Sequence, residues 1–99
     1  MLANRDVLNC YLDLSRAATC FYLKPTGKNH LVFLKHGKKI LKGINDRKAQ
    51  GLYRRLTDIE KEVSIVVPSQ KKRIINLADR ILTLGILLKC AYEIGRAHV

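Results

Sequence analysis

Between Arg5 and Tyr22 the apolar residues Val7, Cys10, Tyr11, Leu14, Ala17, Ala18 and Phe21 recur every three or four positions, while Asp6, Asn9, Asp13 and Arg16 recur on another face. That period predicts an amphipathic helix with one side in a core. Asn4 is placed to cap its start and Asp6 complements the positive end of the helix dipole. Lys24-Pro25-Thr26-Gly27 stops it, because proline disfavours helical backbone in the residue before it.

The segment from His30 to Lys42 has two readings. Leu31-Val32-Phe33-Leu34 suits a short buried strand, with His36-Gly37 turning into a second strand at Lys39-Ile40-Leu41. The polar spacing favours a helix: Lys35, Lys38, Lys39 and Lys42 fall at i, i+3, i+4 and i+7, which gathers four ammonium groups on one face, opposite Leu34, Gly37 and Leu41. A strand would split them between two faces.

Gly43 ends this element, and Asn45 or Asp46 caps a third helix reaching about Val63, with Ala49, Leu52, Tyr53, Leu56, Ile59 and Val63 along one side. Ser64-Ile65-Val66-Val67-Pro68 is β-branched and ends in proline, so it reads as an extended connector, with Ser69 capping the last helix. That helix, Gln70 to Ile94, carries Ile74, Leu77, Ala78, Ile81, Leu84, Gly85, Leu88, Ala91 and Tyr92 on a stripe, and Gly95 stops it. From Ile81 to Leu88 it is apolar nearly all round, which predicts burial on several sides: either it is the central helix or part of it meets another subunit.

The expected architecture is therefore all-α, one domain over residues 1–99 built as a bundle of about four helices, possessing a long apolar C-terminal helix. A chain of 99 residues has too little apolar surface for two independent cores, and with 47% hydrophobic residues it is not disordered by composition. The eight-residue run from Ile81 to Leu88 is far short of the roughly 20 residues that span a bilayer, so no transmembrane segment is expected. Cys10, Cys20 and Cys90 cannot all pair within one chain and lack metal-ligand spacing; they read as small core residues. With no secretory-type apolar stretch near Met1, this places the chain in a reducing cytoplasm.

Charge changes the picture most. Nineteen Lys and Arg against eight Asp and Glu leave a formal charge of +11, the balance of a protein that works beside an anion. Two stretches hold no carboxylate: one between Asp13 and Asp46, the other between Glu62 and Asp79, where Lys71-Lys72-Arg73 stand in a row. One basic helical face matches a row of phosphates, so Lys35, Lys38, Lys39, Lys42, Arg47 and Lys48 are the candidate nucleic-acid contacts. Arg54, Arg55, Lys71, Lys72 and Arg73 form a second field, and cations in the first turn of the last helix oppose its dipole, which hints at an external anion.

Other chemistry finds little support. His30, His36 and His98 have no partners fixed by spacing, no catalytic order of residues is recognisable, and neither enzyme activity nor a cofactor or metal is expected. Pro25-Thr26-Gly27-Lys28-Asn29 departs from a phosphate-binding loop at Tyr22 and Asn29. A helix-turn-helix around Gly43 would put Lys38 and Lys39 where small or apolar packing residues belong, and Phe21, Phe33, Tyr11, Tyr53 and Tyr92 mostly sit on apolar faces, not exposed for base stacking. A membrane surface is a third choice, since Lys35 to Lys42 lacks a bulky exposed aromatic flank. The expected partner is nucleic acid, DNA or RNA, or an acidic protein. The alternative is a protein-interaction module, a homodimer or adaptor, with Leu82, Ile86 and Leu87 of the last helix at the interface.

Overall fold

The computed structural model describes residues 4–92, and these form four helices with no strand among them: α1 Asn4–Leu23, α2 Asn29–Gly43, α3 Arg47–Ile65 and α4 Lys71–Ala91. Short turns join them, so neighbours run antiparallel: Asp13 meets His36 and Phe21 meets His30 between α1 and α2, while Tyr11 lies by Gly85 and Lys89 between α1 and α4. Each helix packs on its two neighbours in a ring, α1 to α2 to α3 to α4 and back to α1. The all-α bundle expected from periodicity is the observed fold, and His30 to Lys42 is helical, with His30, Leu34, Gly37 and Leu41 buried at helical spacing.

Helix α1 is the most deeply packed. Val7, Cys10, Leu14, Ala17, Ala18 and Phe21 are all buried. Glycines let it approach both partners. A methyl group at Gly37 of α2 would lie 3.5 Å from Leu14, and one at Gly85 of α4 would lie 3.3 Å from the Tyr11 ring and 3.6 Å from Leu14, so Leu14 is held between two glycine-faced helices. The Cys10 thiol donates to the Gly37 carbonyl at 3.3 Å; burial, with the Asp13 carboxylate beside it, pushes this thiol up to about 12, which keeps it protonated and unreactive.

Several local expectations change. Helix α4 is neither central nor wrapped: it packs on α1 and α3 and leaves Ile75, Leu82, Ile86 and Leu87 exposed. Helix α3 continues through Ser64 and Ile65, with the Ser64 hydroxyl donating to the Glu60 carbonyl (2.8 Å), and the β-branched run becomes extended only at Val66. The cap of α4 is Gln70, not Ser69. Its side chain accepts the Val67 amide at 3.1 Å and so ties the turn instead of the helix end. Asp13, expected on the polar face of α1, is 4% exposed, because α2 brings His36 onto it and Arg16 lies 3.9 Å away. Of the cysteines only Cys10 is core; Cys20 is half-buried and Cys90 exposed. The capping role of Asn4 and the stop at Ile94-Gly95 lie outside the described side chains and residues.

His30 is the polar oddity of the core. Its ring lies 5.0 Å from Phe21, its Nδ1 has no hydrogen-bond partner among the described residues, and burial lowers its pKa from the ordinary imidazole value. The unfolded chain therefore takes up a proton at higher pH than the folded one, so stability held above the unfolded value is lost as pH falls through it. Denaturant midpoints at about pH 7 and pH 5 should show His30→Leu gaining on the parent on acidification; a pH-independent difference would refute this account.

Candidate nucleic-acid interface

The outer face of α2 is built from a seven-residue repeat. Seven residues make almost two helical turns, so Lys28 at the helix start, Lys35 and Lys42 line up along the axis, with Lys39 beside them, each about 10.5 Å from the next in the repeat. All four are exposed. On α3 the same repeat aligns Arg47, Arg54 and Lys61, also exposed. The antiparallel packing of the two helices sets these rows on either side of their shared seam. One depression along it is lined by Lys28, Lys35 and Lys61, and a second, farther along, by Lys42, Tyr53 and Arg54.

The floor of the seam is neutralised. Lys38 does not join the exposed row: its ammonium lies 3.0 Å from Glu60 and 5.4 Å from the centre of the Tyr53 ring, with only 23% of the side chain exposed. This pair consumes one cation and the carboxylate nearest the groove; on the α3 rim the exposed Asp58, one turn from both Arg54 and Lys61, offsets one of three cations, so both rims keep a net positive charge. The helix-turn-helix geometry is not formed here. Instead of a recognition helix crossing its neighbour, α2 and α3 lie side by side along their lengths.

The other predicted contacts go elsewhere. Lys48 and Arg55 share a seven-residue line with Glu62 on the flank of α3 that faces α4, where Arg55 lies near Arg80 and Leu87. Arg73 is drawn to Glu62 at 4.0 Å, and Arg80 meets the same carboxylate at 2.7 Å. Lys71 and Lys72 stand at the end of the bundle formed by the α1–α2 and α3–α4 turns. Of eleven cations named from sequence, the structure thus gathers Lys35, Lys39, Lys42, Arg47 and Arg54 on one surface and adds Lys28 and Lys61, which sequence reasoning missed. The seven-residue spacing from Lys35 to Lys28 and from Arg54 to Lys61 was the available signal.

The far end of the seam is braced by Asp46. Its carboxylate caps α3 by accepting the Ala49 amide at 2.8 Å, and the Tyr92 hydroxyl from the end of α4 donates to it at 2.6 Å. The Tyr92 bond, followed by the Ala49 amide, holds Asp46 below its usual range, while burial and this carboxylate push the phenol up. No group of three or more His, Cys, Asp or Glu side chains that could hold a metal ion occurs among the described residues, and no helix among them is long and apolar enough to cross a membrane. The three apolar residues proposed as an interface are divided: Arg80 and Leu87 lie on the flank of α4 toward α3, whereas Leu82 and Ile86 share the flank of Ile75, toward α1. No family model, curated protein or solved structure matches the chain.

Proposed function

We propose that this protein is a small non-enzymatic regulatory or accessory module of the cytoplasm that binds nucleic acid in the groove between α2 and α3. The observation that carries the reading is the pair of antiparallel cationic rows, Lys28, Lys35, Lys39 and Lys42 on one rim and Arg47, Arg54 and Lys61 on the other, with Glu60 already paired to Lys38. Cations on such rims neutralise the phosphates of a bound strand and release their condensed counterions to solution, while the apolar backs of both helices are anchored in the core. An acidic protein is the second reading, since Leu31 and the exposed Val32 place apolar surface between the cations of the first depression, and the polyglutamate control separates the two. A dimer or adaptor built on α4 has less support, since its three apolar residues do not form one patch.

Fluorescence anisotropy with duplex DNA, single-stranded DNA and RNA across a salt series tests this, with polyglutamate as a non-nucleic control. The expected result is a preference for one nucleic acid over polyglutamate and a salt slope matching about four to six phosphate contacts. Equal binding to polyglutamate, or none near physiological salt, would overturn it.

A further inference from the structure

We infer that the end of the bundle carrying the α1–α2 and α3–α4 turns docks on the surface of an anionic lipid bilayer. This surface adjoins the α2–α3 groove at Lys28 and Ser64 and extends from there over the end of the bundle. Both turns lie wholly within the two stretches that hold no carboxylate, and the fold brings these stretches to the same end. Lys24, Lys71 and Lys72 are exposed there, and the nearest acid on α3, Glu62, is engaged by Arg73 and Arg80. The same end carries the two most exposed large apolar side chains of the described residues, Leu23 at 73% and Ile65 at 67%, with Tyr22, Val67 and Ile75 about half exposed.

The arrangement selects the occupant. Apolar side chains interspersed with lysines, with the lysine stems lying along the apolar surface and the ammonium groups reaching outward, match the boundary between headgroups and acyl chains. Phosphates of a nucleic acid would leave Leu23 and Ile65 in water. A second copy of the chain would bring two lysine clusters face to face. Tyr22, Leu23 and Ile75 line one depression between α1 and α4, but Ile65 and Val67 lie outside it, so the apolar residues extend over an end surface beyond any single slot. The absence of a bulky aromatic flank counts against α2 as a lipid-binding face, but here Tyr22 supplies one.

Sedimentation with sucrose-loaded vesicles tests this, comparing pure phosphatidylcholine with phosphatidylcholine containing about one-third phosphatidylserine at about 0.15 M salt. The protein should partition at least about tenfold more strongly onto the anionic vesicles. Leu23→Ser with Ile65→Ser, which leaves the charge unchanged, should weaken that partition about tenfold, and Lys71→Gln with Lys72→Gln by a similar factor. Both serine sites are exposed, so the thermal melt should not move. Equal partition onto both vesicle types would overturn the inference. So would anionic binding that the serine pair leaves intact, which would assign it to the groove lysines, or a parent dimer that the serine pair dissolves in light scattering, which would make a second copy the occupant. Failure of nucleic-acid binding in the anisotropy assay would leave these readouts unaffected.

Discussion

Replacing Lys35, Lys39 and Lys42 together by glutamine is expected to weaken nucleic-acid binding by about two to three orders of magnitude at about 0.1 M salt. The size follows from counterion release: each phosphate contact on a duplex contributes about 0.9 to the slope of log K against log salt, and on a single strand about 0.7. At tenfold dilution below the 1 M reference, three lost contacts remove roughly 2.7 or 2.1 decades, and the slope itself should fall by the same amounts. Two comparisons make the result specific. Arg5, Arg16 and Arg80 changed to glutamine remove equal charge from α1 and α4, and the loss should stay below about tenfold, since they act only through the screened field. Lys38→Gln should change binding little, because that ammonium already faces Glu60 and Tyr53, and should instead lower stability by about 1 kcal/mol. Equal losses from the triple variant and its charge-matched control would show that net charge, and not the groove, holds the ligand.

Leu14→Ala is expected to cost about 3–5 kcal/mol, a large part of the roughly 5–15 kcal/mol that stabilises a domain of this size. Leu14 is fully buried and sits where α1 touches both Gly37 and Gly85. Glycine has no side chain with which to refill the space, and the backbones are already close, so the cavity cannot collapse readily. The upper part of the usual range for such a deletion therefore applies. Leu82→Ala, at an exposed position on α4, should fall within about 0.5 kcal/mol of the parent. Urea denaturation of the three proteins checks this. A loss below about 2 kcal/mol for Leu14→Ala would mean that α1 is packed less tightly than the glycine contacts indicate.

The elements themselves were largely legible in the sequence, because what determines them is local. Apolar residues at three- and four-residue steps predict each helix and nearly every buried position, and Asp46 at the start of α3 acts as the cap its residue type suggests. Where local reasoning slipped, a short-range alternative was nearly balanced: Ser64 and Ile65 continue a helix that β-branching should have ended, and Gln70 rather than Ser69 stands at the start of α4. The single-helix lysine row was legible for the same reason, as was the acid-free character of both turns.

What one helix presents to another is a different matter, and tertiary structure alone decided it. Lys38 reads as one of four equivalent lysines until α3 places Glu60 and Tyr53 against it; Asp13 reads as solvated until α2 supplies His36. Lys48 and Arg55 turn from the groove only because α4 packs on their flank, and Leu82 parts from Leu87 because α1 and α3 flank α4 on different sides. The sequence by itself determined four amphipathic helices and an excess of positive charge, since helical period and charge depend on residue type and spacing along the chain. Which cations share a rim, and which apolar side chains gather at one end in the open, depended on antiparallel packing, which joins residues far apart in the chain, from Lys38 and Glu60 to Tyr11 and Lys89, through contacts that no short-range pattern encodes.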